Sequence, residues 1–179
     1  MKTVLFVLRL ALTLLAITAV VAVALAGVNM ITAPAIAELN AKNTQAAIET
    51  VLPGGGEEVT DFPAVDLVSK VYASETGYAV QVTPSGFDNT ITMMVGVDKA
   101  GSVLGISIIS HTETAGLGAV AAAGTPAGEN FRGQFVGASG SVSVTKDGGT
   151  MDAITGATIT SRAIRVGVNA ALECAAQMG

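Results

Sequence analysis

Residues 90–110 read TITMMVGVDKAGSVLGISIIS. Two β-rich apolar runs, 90–97 and 103–110, flank a short polar stretch, Asp98-Lys99-Ala100-Gly101, that ends in glycine. Strand, short Gly-containing turn, strand is the signature of a hairpin. Just upstream, 78–83 (YAVQVT) alternates apolar and polar residues and predicts a third strand. Downstream, 141–145 (SVSVT) alternates again and is a candidate to return to the sheet. Residues 159–178 set Ile164, Val168, Ala171, Leu172 and Ala175 at helical spacing, with Thr160 and Ser161 available as caps, so the chain closes on a helix. Cys174, among alanines on that helix, reads as a small buried apolar residue, and Met93 and Met94 as strand packing. The elements predict an α+β domain, an antiparallel sheet with helices against one face, and leave strand order open.

The N-terminal part has a different character. Residues 10–37 carry no charge, and 10–30 (LALTLLAITAVVAVALAGVNM) are apolar apart from two Thr, Gly27 and Asn29. Crossing a bilayer takes roughly 20 such residues, whereas the apolar core of a signal peptide spans about 7 to 15. Length favours a retained transmembrane helix at 10–31. The competing reading uses Ala35-Ile36-Ala37 as a small-residue cleavage site, far downstream of an overlong core. Lys2 and Arg9 precede the span, and the first charge after it is Glu38. The positive-inside rule then leaves residues 1–9 in the cytoplasm and the rest outside the cell membrane, a single-pass arrangement. Residues 38–52 (ELNAKNTQAAIETVL) form a moderate helical pattern ended by Pro53 and Gly54-Gly55-Gly56, so 32–73 reads as a connector with a membrane-proximal helix. Glu57, Glu58 and Asp61 read as a solvated linker.

The chain has 179 residues and a net charge of -5, the wrong sign for holding a phosphate backbone, so a nucleic-acid partner is not expected. Removing Lys2 and Arg9 from the nine basic residues leaves seven against fourteen acidic ones in the exported part, a net of -7. A single Cys and a single His, His111, exclude an internal disulfide and any Cys-rich or multi-histidine metal site within one chain. Any chemistry must come from other groups.

Two segments qualify. Residues 152–161 (DAITGATITS) concentrate hydroxyls around Gly156 and Ala157 at the start of the closing helix, after a Gly148-Gly149 turn. Unpaired N–H groups and the positive end of the helix dipole suit such a place to a phosphate. The plainer reading of the same residues is a hydroxyl-capped helix start. Residues 110–118 (SHTETAGLG) follow the 103–110 strand, where Glu113, Thr114 and Leu117 can line a pocket while Gly116 and Gly118 turn the chain. The neighbouring stretch 115–128 is small and glycine-rich, a loop that lies close to something else.

In their order these segments resemble the FMN-binding domain family. DAITGATITS is similar to its flavinylation motif (Asp, two variable residues, Ser or Thr, then Gly-Ala-Thr), and SHTETAGLG to its Glu-Thr-Pro-Gly-Leu segment, with Ala115 in place of the usual Pro. The anchor, the short hairpin and 129–135 (ENFRGQF) resemble the G subunits of Rnf electron transport complexes, relatives of the C subunits of sodium-pumping NADH:quinone reductases. The resemblance implies an extracytoplasmic FMN-binding domain at 74–179 with FMN joined through its phosphate to Thr158, a bond made by a separate flavin transferase that uses FAD and Mg²⁺ and reads Asp152. It implies phosphate and ribityl contacts from Thr155, Gly156, Ala157 and Thr160, with Lys146 as charge partner. Glu113, Thr114, Gly116 and Leu117 would border the isoalloxazine ring. The implied role is an electron-carrier subunit, not a complete enzyme, in ferredoxin:NAD electron transfer coupled to sodium or proton translocation, with the other membrane and redox subunits as partners. The residues by themselves also allow a tethered domain that holds FMN reversibly, or a flavin-free assembly element.

Overall fold

The structure, a computed structural model, describes residues 2–179. Its sheet is a five-stranded antiparallel meander of β1 (Glu57–Val59), β2 (Val68–Ala73), β3 (Gly77–Val82), β4 (Thr92–Asp98) and β5 (Val103–Ser110), neighbouring in that order. The 90–110 hairpin forms as expected. Gly101 takes the left-handed φ of +81° that closes the turn, and Asp98 Oδ1 accepts from the amides of Ala100 and Ser102 at 2.9 and 2.8 Å. Opposite partners such as Val80 with Val95 and Val95 with Ile106 set the register, so alternate residues of every central strand point to one face.

Among the described residues the α-helices are α1 (Lys2–Val51), α2 (Pro126–Gly133) and α3 (Thr158–Met178). α3 lies on one face of the sheet. Its Ile164, Val168, Ala171, Leu172 and Ala175, the stripe expected from spacing, are all buried with Val80, Val82, Met93, Val95 and Ile106. Cys174 is buried with them. Burying each large aliphatic side chain contributes about 1.5–3 kcal/mol, which makes this layer the main source of stability. α2 and the turn after it add Phe131 and Phe135 to the core, packed edge to face at 5.5 Å.

Three expectations are corrected. Helices cover both faces, not one, because Ala47, Ile48, Val51 and Leu52 pack on the opposite side against Tyr72, Ala79 and Met94. Gly96 permits this, since a Cβ there would collide with the Val51 carbonyl oxygen. Residues 141–145 do not rejoin the sheet. Asn169 of α3 takes up both backbone groups of Val142 at 2.9 and 3.0 Å, and Val144 makes only an isolated bridge to Met151. Glu57 and Glu58 are exposed, as a solvated run should be, yet they belong to edge strand β1, where Glu58 pairs with Lys70 at 2.8 Å. The 32–73 stretch therefore holds two strands as well as the end of a helix.

The chain divides into two units, Met1–Lys42 and Asn43–Gly179. In the first, α1 runs on through Pro34. It is long and apolar enough to cross a membrane, with a mean hydropathy of 2.6 in its best window and large apolar side chains exposed throughout. Thr13, Thr18 and Thr32 donate back to carbonyls four residues earlier at 2.8–3.0 Å, so their hydroxyls need no solvent.

Candidate functional site

The end of β5 and the start of α3 converge, and the two segments singled out in the sequence meet there. After Ser110 the chain turns inward and buries Glu113, 7% exposed. Glu113 Oε1 accepts from the amides of Phe87 and Asp88 at 2.8 and 3.4 Å, and its Oε2 accepts from the Thr160 hydroxyl. A buried carboxylate needs such partners, and its two oxygens can serve two separate elements. Glycines make room for it, since a Cβ on Gly86 or Gly118 would collide with a Glu113 carboxylate oxygen.

The start of α3 is shaped by the same economy of side chains. Gly156 has φ +77°, and a Cβ there would lie 2.9 Å from Leu117 Cδ2, so two loops touch where only glycine fits. Ser161, fully buried, accepts from the Ile154 amide and donates to the Ala157 carbonyl, both at 3.0 Å, which folds the turn back on the helix. The helix N-cap is Ala157, with no side-chain cap. The hydroxyl-cap reading is therefore corrected: Thr160 is engaged by Glu113 and Ser161 bonds backward, while the amides of the first turn stay open to a ligand. At this open end Lys146 Nζ donates to Thr158 Oγ1 at 2.9 Å. Lys146 sits on a 3₁₀ turn, Thr145–Asp147, clamped to α3 by Asp147, which receives Arg162 Nε and Nη2 at 2.9 and 2.5 Å. The Arg162 guanidinium holds the Asp147 carboxyl below the usual carboxylate range, and Asp147 in turn raises Arg162.

The residues named from the sequence fall into two neighbouring clefts. Glu113, Thr114, Leu117, Lys146, Gly156, Ala157, Thr158 and Thr160 line one of about 280 Å³, together with Phe87, Gly118 and Ile159. Gly116, Asp152 and Thr155 line another of about 380 Å³ beside Phe131 and Gln134. The division passes through the Gly116–Leu117 and Thr155–Gly156 peptides, where Leu117 meets Gly156. Asp152 is exposed, and the Gln134 side chain pairs with its backbone, accepting from the amide at 2.6 Å and donating to the carbonyl at 3.3 Å. Phe87 and the Asp147–Arg162 pair lie outside the quoted motifs, and Ile159 and Gln134 lie inside them without having been assigned to the site. Phe87 had one local signal, a lone aromatic in a Pro84-Ser85-Gly86 turn cluster.

The donor set suits an anionic phosphate carrying an apolar ring: open helix amides, an ammonium, threonine hydroxyls and apolar walls. Comparison with known proteins agrees. The FMN-binding domain profile matches residues 86–173. The G subunit of the Na(+)-translocating ferredoxin:NAD(+) oxidoreductase complex of Acetobacterium woodii is 33% identical over an alignment 197 positions long, covering 93% of this chain and 90% of that protein. The G subunit of the ion-translocating oxidoreductase complex of Methanosarcina acetivorans is 33% identical over 174, covering 90% of each. The G subunit of the proton-translocating ferredoxin:NAD(+) oxidoreductase complex of Clostridium ljungdahlii is 39% identical over 111, covering 57% of each. Identity at this level across nine-tenths of both chains reaches well beyond the cofactor domain and includes the apolar N-terminal helix. The chain belongs to the FMN-binding domain family, among the G subunits of ion-translocating oxidoreductase complexes.

Proposed function

We propose that this chain is the membrane-anchored electron-carrier subunit of an Rnf-type ferredoxin:NAD oxidoreductase complex, with FMN joined through its phosphate to Thr158. The observation that carries the reading is the Lys146–Thr158 hydrogen bond of 2.9 Å at the uncapped start of α3. It sets positive charge and open amides beside the Thr158 hydroxyl, where a phosphoester would collect negative charge.

Gly156 and Ala157 supply close backbone approach, with Thr155 and Thr160 beside them, and Leu117 and Thr114 border the ring. Bound FMN supplies one- and two-electron chemistry, while the protein supplies orientation and electrostatics. The Thr158 hydroxyl is met by the Lys146 ammonium and not by a carboxylate or imidazole base, which suits attachment by a separate flavin transferase. The exposed Asp152 is available for such an enzyme to read. A tethered cofactor cannot diffuse away on the outer side of the membrane, where the Lys2 and Arg9 bias puts the domain. The names of the relatives divide between sodium and proton. The apolar span of this chain has no charged side chain between residues 10 and 37.

The test is an intact mass of the full chain coexpressed with the transferase. The expected result is an added mass of one FMN less one water, mapped to Thr158 and lost in Thr158→Ala. Flavin released entirely on acid precipitation means reversible binding, and an unmodified chain without bound flavin means an assembly element. Either outcome overturns the covalent reading.

A further inference from the structure

Phe87 stands apart from the other aromatic residues of the domain. Phe131 and Phe135 are buried in the core and Phe62 packs against it, but Phe87 is 65% exposed at the tip of the loop between β3 and β4. Exposure of a large aromatic ring is unfavourable unless something covers it in the working state. Two more large apolar side chains, Leu117 at 43% and Ile159 at 51% exposed, line the same cleft. Each comes from a different segment: the loop tip, the turn after β5 and the first turn of α3.

The loop tip is held firmly. Gly86 N donates to Asn89 O at 2.7 Å and Ile91 N to Pro84 O at 2.8 Å, closing the turn on itself. Glu113 then receives the Phe87 and Asp88 amides on one oxygen and the Thr160 hydroxyl on the other. Through that one carboxyl group the loop tip is indexed to the first turn of α3, and so to Thr158. Both of its oxygens accept within the protein, which makes Glu113 a positioning residue for the loop tip.

We propose that Phe87 is the aromatic platform for the planar ring of the ligand, that Ile159 and Leu117 complete the apolar wall, and that Glu113 sets the distance from this wall to Thr158. Stacking on an exposed aromatic tolerates a polar ring edge open to solvent, which an electron carrier needs for exchange with a partner. The proposal rests on the flavin reading above and adds to it the residues that face the ring.

The experiment exploits the lack of Trp in this chain. An indole in contact with an isoalloxazine quenches its emission by excited-state electron transfer, so Phe87→Trp is a proximity reporter. Leu104→Trp, at the far end of β5, is the control, and attached flavin is counted by intact mass for the full-length chain in detergent. Phe87→Trp is expected to lower emission per flavin several-fold relative to Leu104→Trp, with equal flavin by mass. Adding Glu113→Ala to Phe87→Trp should restore emission, and adding Glu113→Gln, which still accepts from the loop amides, should not. Equal emission in the Phe87 and Leu104 variants overturns the proposal. If the mass shows no attached flavin, the covalent reading fails by itself. The same variants are then titrated with FMN, where quenching specific to position 87 upholds the platform and its absence, or no binding, overturns it. Phe87→Tyr, which also quenches, replaces Phe87→Trp if circular dichroism shows that the indole disturbs the fold.

Discussion

Lys146 and Thr158 meet across a twelve-residue separation, the lysine ammonium donating to the threonine hydroxyl at 2.9 Å. Neither residue produces this approach alone. The 3₁₀ turn carrying Lys146 is fastened to α3 by the two-point contact of Asp147 with Arg162, and Thr145 N donates to Met151 O at 2.8 Å to close the turn behind it.

Removing the ammonium should therefore impair flavin attachment without harming the fold. Lys146→Ala is expected to lower the flavinylated fraction several-fold, and Lys146→Arg to recover part of it. Because Lys146 is exposed, unfolding free energy should move by no more than about 0.5 kcal/mol. Intact mass together with a urea melt of the same samples checks both parts.

Gly156→Ala tests the meeting of the two loops. A non-glycine residue at φ +77° is strained, and its Cβ would press on Leu117 Cδ2 at 2.9 Å. The expected destabilisation is roughly 1–2 kcal/mol from the backbone alone. Gly156→Ala/Leu117→Ala should recover only the steric part, so chemical denaturation of the single and double variants separates strain from collision.

Loss of Glu113 strands two loop amides and the Thr160 hydroxyl. Glu113→Ala should cost about 1–3 kcal/mol through those unpaired groups. Glu113→Gln should cost less, because its carbonyl still accepts from Phe87 N. Hydrogen exchange at the Phe87 and Asp88 amides should accelerate in the alanine variant. Unchanged exchange there would refute the role assigned to Glu113.

Asp147 makes stability at this clamp depend on pH. Its hydrogen bond with Arg162 lowers the folded-state pKa below the unfolded value. The contribution is thus fully present above the unfolded carboxylate pKa and is lost as pH falls through the lowered folded value. The gap in Tm between the native chain and Asp147→Asn should be constant near neutrality and vanish in acid. A gap that widens on acidification contradicts the assignment.

Burial pushes the Cys174 thiol up, with the nearby Glu173 charge adding to the effect. Little thiolate forms near neutral pH, and the sulfur lies beneath α3. Maleimide should label the folded chain hardly at all at pH 7 and completely in denaturant.

Much of this molecule is local in origin. The apolar N-terminal run, the 90–110 hairpin and the Ile164-Val168-Ala171-Leu172-Ala175 stripe are periodic patterns that any packing partner would have to satisfy, so residue order alone determined them. DAITGATITS drew attention through its hydroxyls and small residues at a helix start, which read as a cap as readily as a phosphate site until its likeness to the family motif was added. β1 escaped notice because an exposed edge strand of three residues, two of them Glu, needs no apolar alternation. Residues 141–145 have strand alternation but no free partner where they lie, and Asn169 supplies their hydrogen bonds. Only the tertiary structure could bring Lys146 to Thr158, make Glu113 the tie between loop tip and helix, and expose Phe87. Those relationships join groups between 12 and 47 residues apart. Such distances close only after the sheet and α3 pack, and no short-range preference encodes them.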